Sequence, residues 1–458
     1  MKNQRLMSLD TLRGFDMFFI MGLSGLIVSL CALWPNAFTA EIAQQMGHVK
    51  WNGLQHHDTI FPLFLFLAGV SFPFSLAKQR ENGATTGKIY AKIFRRAAML
   101  IFLGMVYNGL FQLDFANLRV ASVLARIGLA WMGAALLFVN FGVKTRAWIA
   151  AAILVIYALL SKFVCAPDMP GADPLSMEGS LVGWVDRLLM PGRLIYDNGR
   201  FDPEGLLSAV PAVVTAMFGM FTGELIRIEK YTGNRKTVMM LIGGAILAVV
   251  AYLGNFFVPI NKMLWSSTFV CAVGAYSLIM MAIFYYIVDV KGWQKWTLVF
   301  RVVGMNSITI YLAQQIINFG GISRYFLGVL GQSTVMMLII SEVLMCFGFR
   351  PQDAFFVGVI EGVFNIIPYV GPWLGFVLSG LAGLTFVVPA GMNIGVVLLI
   401  IAGTILVAQF VDNYFVSPNI FSRQMNAHPL EIFIVTLVAG SCSGIVGMLV
   451  AIPAYTVL

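Results

Sequence analysis

Three of the chain's four histidines lie in one short stretch: Gly47-His48-Val49-Lys50-Trp51-Asn52-Gly53-Leu54-Gln55-His56-His57-Asp58-Thr59-Ile60-Phe61-Pro62. An apolar run follows at once. An imidazole takes up and returns protons near neutral pH. Polar groups beside hydrocarbon are costly and commonly mark function. The stretch is therefore the chain's leading candidate for chemistry, with His48, His56 and His57 as titratable groups. Asp58 stands where the apolar run begins. It either satisfies free N–H groups at a helix start or orients an imidazole or a substrate. A metal set of His48, His56, His57 and Asp58 is disfavoured. Adjacent helical side chains point about 100° apart and converge poorly on one ion, so no metal is expected.

The elements that must carry this stretch are membrane helices. The chain has 458 residues, 59% hydrophobic and 11% charged, with a mean hydropathy of +0.86. Soluble domains carry about 25% charged residues. The composition predicts an all-α, polytopic transmembrane bundle of about 12–14 helices in a lipid bilayer. Spans are expected at roughly 14–34, 58–77, 97–112, 121–141, 147–166, 206–226, 238–258, 265–289, 299–319 and 329–348. An interrupted region at about 354–408 and a run at about 431–456 follow. Lys and Arg fall in alternate loops, including Lys2, Arg5, Lys78–Arg96, Lys144, Arg146 and Arg227–Lys236. That alternation predicts a cytoplasmic N-terminus in a multi-pass bacterial inner-membrane protein, with the His48 loop on the opposite face. The formal charge of +8 is this orientation signal, not a nucleic-acid surface. The first apolar helix is expected to remain as an anchor. Five scattered cysteines read as packing residues. The loop at 167–205 is expected to be irregular from its Pro and Gly content, as a lid or a linker.

The texture changes after about residue 320. Glycines and prolines interrupt the apolar runs, as in Asn365-Ile366-Ile367-Pro368-Tyr369-Val370-Gly371-Pro372. Broken or re-entrant helices are therefore expected in the C-terminal part, and unbroken ones before it. Two domains are expected, 1–322 and 323–458. Asp412 and Asn413 end an apolar run, where Asp412 either couples ions or is a solvated loop acid.

The first part resembles the heparan-alpha-glucosaminide N-acetyltransferase family of membrane acyltransferases. The resemblance rests on Ser8-Leu9-Asp10-Thr11-Leu12-Arg13-Gly14, His48-Val49-Lys50-Trp51-Asn52-Gly53-Leu54 with Asp58, and Arg119-Val120-Ala121-Ser122-Val123-Leu124-Ala125-Arg126. Phe201-Asp202-Pro203-Glu204-Gly205, Pro259-Ile260-Asn261-Lys262-Met263-Leu264-Trp265 and Gly304-Met305-Asn306-Ser307-Ile308 continue it in order. It covers about 320 residues, with the family's last helices missing. It implies transfer of an acetyl group from cytosolic acetyl-CoA to the amine of an amino sugar at the opposite face. His48 then falls on the catalytic histidine, with Asp58 beside it. His48 would act as general base or carry the acetyl group itself. Trp51 would stack on a sugar or belong to an interfacial aromatic belt. Asn52, Asp10 and Arg13 join it as substrate or cofactor contacts. Arg119 and Arg126, seven residues apart, would share one helix face toward coenzyme A phosphates. Arg126 needs a partner such as Asp10, Asp16 or the cofactor. The Lys78–Arg96 cluster would attract those phosphates or serve only orientation. Asn306 and Ser307 would bond substrate or a neighbouring helix. Gln314 stands where animal enzymes of the family carry a histidine.

The last part is similar to the C-terminal half of the autoinducer-2 exporter family, on the Asn365–Pro372 segment, Asp412-Asn413-Tyr414-Phe415-Val416-Ser417-Pro418 and His428-Pro429-Leu430. Asn365, Pro368, Asp412 and Asn413 are its transporter-like candidates. A membrane acyltransferase, a transporter and a non-functional hybrid of two truncated proteins all remain open, as does self-association.

Overall fold

The computed structural model describes residues 6–115, 117–196, 199–316, 319–365, 371–386 and 392–412, with 438, 439 and 447. Side chains are not described at 315–330 and 332. Pro368 and Asn413 lie outside the described residues. The chain divides into two compact units, Met1–Tyr311 and Leu312–Leu458.

The first unit is a helix bundle. Its helices are α1 Met7–Phe18, α2 Ser24–Leu33, α3 Ala37–Gln45, α4 His56–Glu81, α5 Thr86–Tyr107, α6 Val123–Asn140 and α7 Val143–Phe163. Then come α8 Leu181–Leu189, α9 Ala209–Arg227, α10 Gly233–Gly254, α11 Ser267–Phe284 and α12 Leu298–Met305, and α13 Ser307–Ile316 begins in the first unit and runs past its last residue, Tyr311. The second unit holds α14 Phe319–Cys346, α15 Pro351–Phe364, α16 Gly371–Gly383 and α17 Ile394–Val411. Among the described residues the extended pairing is limited to isolated bridges, such as Arg119 with Gly192. Eight helices among them are long and apolar enough to cross a membrane. The protein is a multi-pass helical membrane protein.

At the centre of the first unit α4 packs on α9. Side chains such as Leu63, Leu65, Phe66 and Val70 are fully buried. The two backbones touch because small residues face each other. A Cβ on Gly69 would lie 2.2 Å from the Ala216 carbonyl oxygen, and one on Gly219 2.0 Å from that of Phe66. Small residues at such crossings are how membrane helices associate where no hydrophobic force acts between them. The same device joins the N-terminus to a distant segment. Gly14 of α1 faces the Phe300 carbonyl and Gly304 of α12 faces that of Asp10, both at under 2 Å from an added Cβ. Two of the family-like motifs thus meet as a helix crossing. Helices α7 and α10 turn apolar residues outward, among them Ile156, Leu159, Ile246 and Val249, as a lipid-facing surface requires.

Two expectations need correction. Broken helices are not confined to the C-terminal part. The first helix opens at Phe19–Leu23 into a π-turn in which Gly22 takes φ 131°, a left-handed angle that glycine tolerates at no steric cost. The expected single span at 299–319 breaks between Met305 and Ser307 with a 62° bend. Asn306 there turns its amide onto the Val302 carbonyl at 2.9 Å. The 167–205 loop is not wholly irregular either. It contains α8, capped by Ser180, whose hydroxyl accepts the Gly183 N–H at 3.2 Å.

In the second unit α14 and α15 pack through Gly358 and Gly362, which face Met337 and Ser333. Met336, Ile340, Leu344, Val357, Val397, Ile401 and Ile405 form its core. At 14 and 13 residues, α15 and α16 are each shorter than the roughly 20 residues a full crossing needs.

Candidate active site

Four loops that are far apart in sequence meet at one end of the first unit. The Gly53 N–H donates to the Ile260 carbonyl at 2.8 Å, and the Arg193 N–H to that of Leu118 at 3.2 Å. Trp51 donates its indole N–H to the Leu175 carbonyl at 3.0 Å and sets its ring edge-on to Phe201. Basic residues gather at the other end. Arg227 donates to the Pro73 carbonyl at 3.1 Å, Arg146 pairs with Glu224 at 2.8 Å, and Lys88, Lys92 and Arg95 are exposed.

At the loop end His48 and Asp58 form a pair. His48 Nδ1 lies 2.7 Å from Asp58 Oδ1. The Asp58 side chain is 1% exposed and that of His48 54%. Asp58 is held by its position at the start of α4, where its Oδ2 accepts the N–H of Gln55 at 3.2 Å and of Val49 at 3.3 Å. Asp58 therefore contacts both the backbone N–H groups at the helix start and the His48 imidazole. Lys262 completes the cluster, with Nζ 3.1 Å from both Asp58 Oδ1 and His48 Nδ1. A carboxylate oxygen that close to Nδ1 requires the proton to sit on Nδ1. The imidazole then presents the Nε2 lone pair outward, as a general base or nucleophile must.

The other two histidines diverge from each other, as their adjacency on a helix dictates. His57 Nδ1 meets Ser24 Oγ at 3.1 Å, and its ring lies 4.7 Å from that of His48. The π-turn at Phe19–Leu23 brings Ser24 there. His56 turns inward, with Nε2 3.1 Å from the Tyr276 hydroxyl. No three-ligand metal cluster of His, Cys, Asp or Glu occurs among the described residues. Asn52 accepts from the Asn261 amide at 3.1 Å. Asp10 and Arg13 lie together on α1 at 3.7 Å, and Arg13 reaches Ser71 Oγ at 3.3 Å.

Arg119 and Arg126 do not share a helix face. Ser122 is extended and caps α6 by accepting the Ala125 N–H at 3.0 Å, so Arg119 precedes the helix. Both side chains still meet the 201–208 segment. Arg119 clasps Asp202 through two bonds of 2.8 and 2.7 Å and also contacts Glu204. Those carboxylates raise the pKa of its guanidinium despite burial. Arg126 bonds Ser208 and lies 4.7 Å above the Trp265 ring. Its partners are these, not Asp10 or Asp16. Asp186 is buried beside them and accepts the Leu206 N–H at 2.9 Å. Burial pushes its carboxyl up to about 7. On the outer side of the loop, Asp168 is held below the usual carboxylate range by Arg187, bonded at 2.7 Å.

Sequence reasoning missed Lys262, Asn261, Ser24 and Tyr276. Lys262 and Asn261 sat in view within the Pro259–Trp265 motif, but nothing local ties them to His48. In the second unit Asn365 donates to Asp412 Oδ2 at 3.3 Å, which joins two of the transporter-like candidates.

Comparison with known proteins finds two different families along the chain. A family model described as AI-2E family transporter matches residues 227–458. One described as a domain of unknown function, DUF5009, matches residues 5–166. The Mus musculus heparan-alpha-glucosaminide N-acetyltransferase is 26% identical over 326 residues, covering 59% of this chain and 49% of that protein. The Homo sapiens protein of that name is 27% identical over 327 residues, covering 59% and 48%. YrrI of Bacillus subtilis (strain 168), provisionally named a transport protein, is 39% identical over 101 residues, 22% of this chain and 27% of that protein. The chain thus spans about half the length of the acetyltransferases it matches. Residues 227–311 of the transporter match fold within the first unit.

Proposed function

In a chain that belongs, through residues 227–458, to the AI-2E transporter family, we propose that the first unit is a membrane acyltransferase acting through His48. The observation that carries this reading is the pairing of an exposed imidazole with a buried carboxylate. His48 Nδ1 is tied to Asp58 at 2.7 Å while about half of the side chain remains exposed. The likeness to heparan-alpha-glucosaminide N-acetyltransferases supports acetyl-CoA as donor and an amino sugar as acceptor.

In this mechanism the acceptor amine attacks the thioester carbonyl as His48 Nε2 takes its proton. The new C–N bond forms, the C–S bond breaks, and the leaving thiolate is protonated to the free thiol. Asp58 holds the ring in the Nδ1–H tautomer and stabilises the imidazolium. The alternative is attack by Nε2 itself, with the acetyl group passing through an acetyl-imidazole. Lys262, 3.1 Å from Asp58 Oδ1, helps hold the carboxylate that fixes the ring. Arg119 and Arg126 already have protein partners, so the exposed Lys88, Lys92 and Arg95 at the other end are better placed to meet the donor's phosphates. The donor then approaches from the cytoplasm and the acceptor from the opposite face, with the basic end inside.

The test is acetyl transfer from labelled acetyl-CoA to glucosamine by the purified protein in vesicles. His48→Ala is expected to lower turnover by at least ~100-fold, the lower range for losing a general base, while acetyl-CoA still binds. His56→Ala and His57→Ala should cost much less. Near-normal turnover in His48→Ala would refute the assignment.

A further inference from the structure

Glu361, on α15 of the second unit, is fully buried. Its Oε1 accepts the Ser379 hydroxyl from α16 at 3.3 Å. Its Oε2 has no hydrogen-bond partner among the described residues. The α16 backbone presses against the carboxyl, because a Cβ on Gly375 would fall 2.8 Å from Oε2 and 3.1 Å from Oε1. Gly375 therefore both makes room for Glu361 and closes it off.

The surroundings supply no positive charge among the described residues. Helix α16 contains no ionisable residue, and α17 contains none before Asp412 at its end. On α14, Glu342 is exposed and the Arg324 side chain lies outside the described residues. On α15, Asp353 is two turns away, and Arg350 precedes the helix and is exposed. Asn365, one turn beyond Glu361, faces Asp412. An ionised carboxylate with one neutral hydrogen bond in an apolar core is far costlier than the neutral acid. A hard metal cation gathers about six or more oxygen ligands, and the described neighbours offer one hydroxyl.

We propose that Glu361 is a proton-binding site of the transporter-like unit. It is carried as the neutral carboxylic acid and releases its proton when the α15–α16 contact opens. Intramembrane carboxylates of this kind are the usual carriers of proton coupling in transport. The site lies in the other unit from His48, so either reading can fail without the other.

The experiment treats the purified full-length protein in vesicles with dicyclohexylcarbodiimide, which adds to protonated carboxyls in apolar settings. Adducts are mapped by peptide mass spectrometry. Glu361 should be modified, with labelling falling about tenfold per unit once pH passes its titration point. Exposed Glu342 should not be modified. Glu361→Gln, if folded by thermal melting, should lose the adduct. Should that variant not fold, the wild-type adduct map decides alone. No adduct on Glu361 anywhere between about pH 5 and 8 overturns the proposal. Protection by sodium at constant pH overturns it too, by showing a metal cation in the proton's place.

Discussion

Asp58→Asn changes the chemistry of the candidate site while keeping its shape. The wild-type carboxylate is buried and accepts four donors. These are His48 at 2.7 Å, Lys262 at 3.1 Å, Gln55 N–H at 3.2 Å and Val49 N–H at 3.3 Å. Asparagine has one acceptor oxygen, and its other terminus is a donor. If the oxygen stays toward His48, the NH2 confronts two backbone N–H groups. If it turns the other way, the NH2 faces Nδ1 and drives the ring proton to Nε2, which removes the base. The first outcome leaves buried donors unsatisfied, at about 1–3 kcal/mol of stability. The second costs turnover by ~10²–10⁴, or about 3–5 kcal/mol of barrier. Acetyl transfer in vesicles and thermal unfolding separate the two. Combining Asp58→Asn with His48→Ala should add little to His48→Ala alone, because groups acting as a unit are strongly non-additive. Near-wild-type turnover in Asp58→Asn, or full multiplication of the two losses, would refute the paired mechanism.

Three further outcomes follow from the loop end. Asp186 titrates at about 7 when folded against about 4 in an unfolded chain, so the fold binds its proton more tightly. Its stabilising contribution is complete below about pH 4 and is lost as pH rises through 7; thermal melts of Asp186→Asn should lack that part of the decline. Gly205→Ala would place a Cβ 1.8 Å from Asp186 Oδ2, and the forced repacking should cost about 1–3 kcal/mol, read as a lower Tm. Arg119→Lys keeps the charge but loses the two-pronged grip on buried Asp202. It should hasten protease cleavage within 164–208 while leaving the α4–α9 core folded, and an unchanged cleavage rate would contradict this.

Helix positions were legible wherever a long apolar run met a local cap. The run after Asp58 is α4, and the basic start of α5 escaped notice only because Lys88, Lys92 and Arg95 lower the hydropathy of a helix whose other face is apolar. The proximity of His48 to Asp58 could be read because ten residues and one helix start connect them. Lys262 could not be placed, since 204 residues separate it from Asp58 and no periodic pattern spans that distance. The seven-residue spacing of Arg119 and Arg126 misled, because a capping serine between them starts the helix. Breaks at Gly22 and Asn306 were hidden in segments whose composition suits a straight helix. Glu361 was overlooked because one acid in an apolar window barely changes its character.

The crossing of Gly14 with Gly304 also sets an order of events during synthesis. The face that α1 offers at Gly14 fits only a backbone, with an added Cβ 1.7 Å from the Phe300 carbonyl. No segment made earlier supplies that partner. That face of the first helix must therefore go without its final partner until nearly three hundred further residues have left the ribosome. Pairings between sequence neighbours such as α5 and α6 can form long before. Closure of the bundle at its N-terminal helix is then a late, slow step of assembly, as contacts of long sequence separation are. A ribosome stalled before residue 300 would leave that helix available to insertion-quality control.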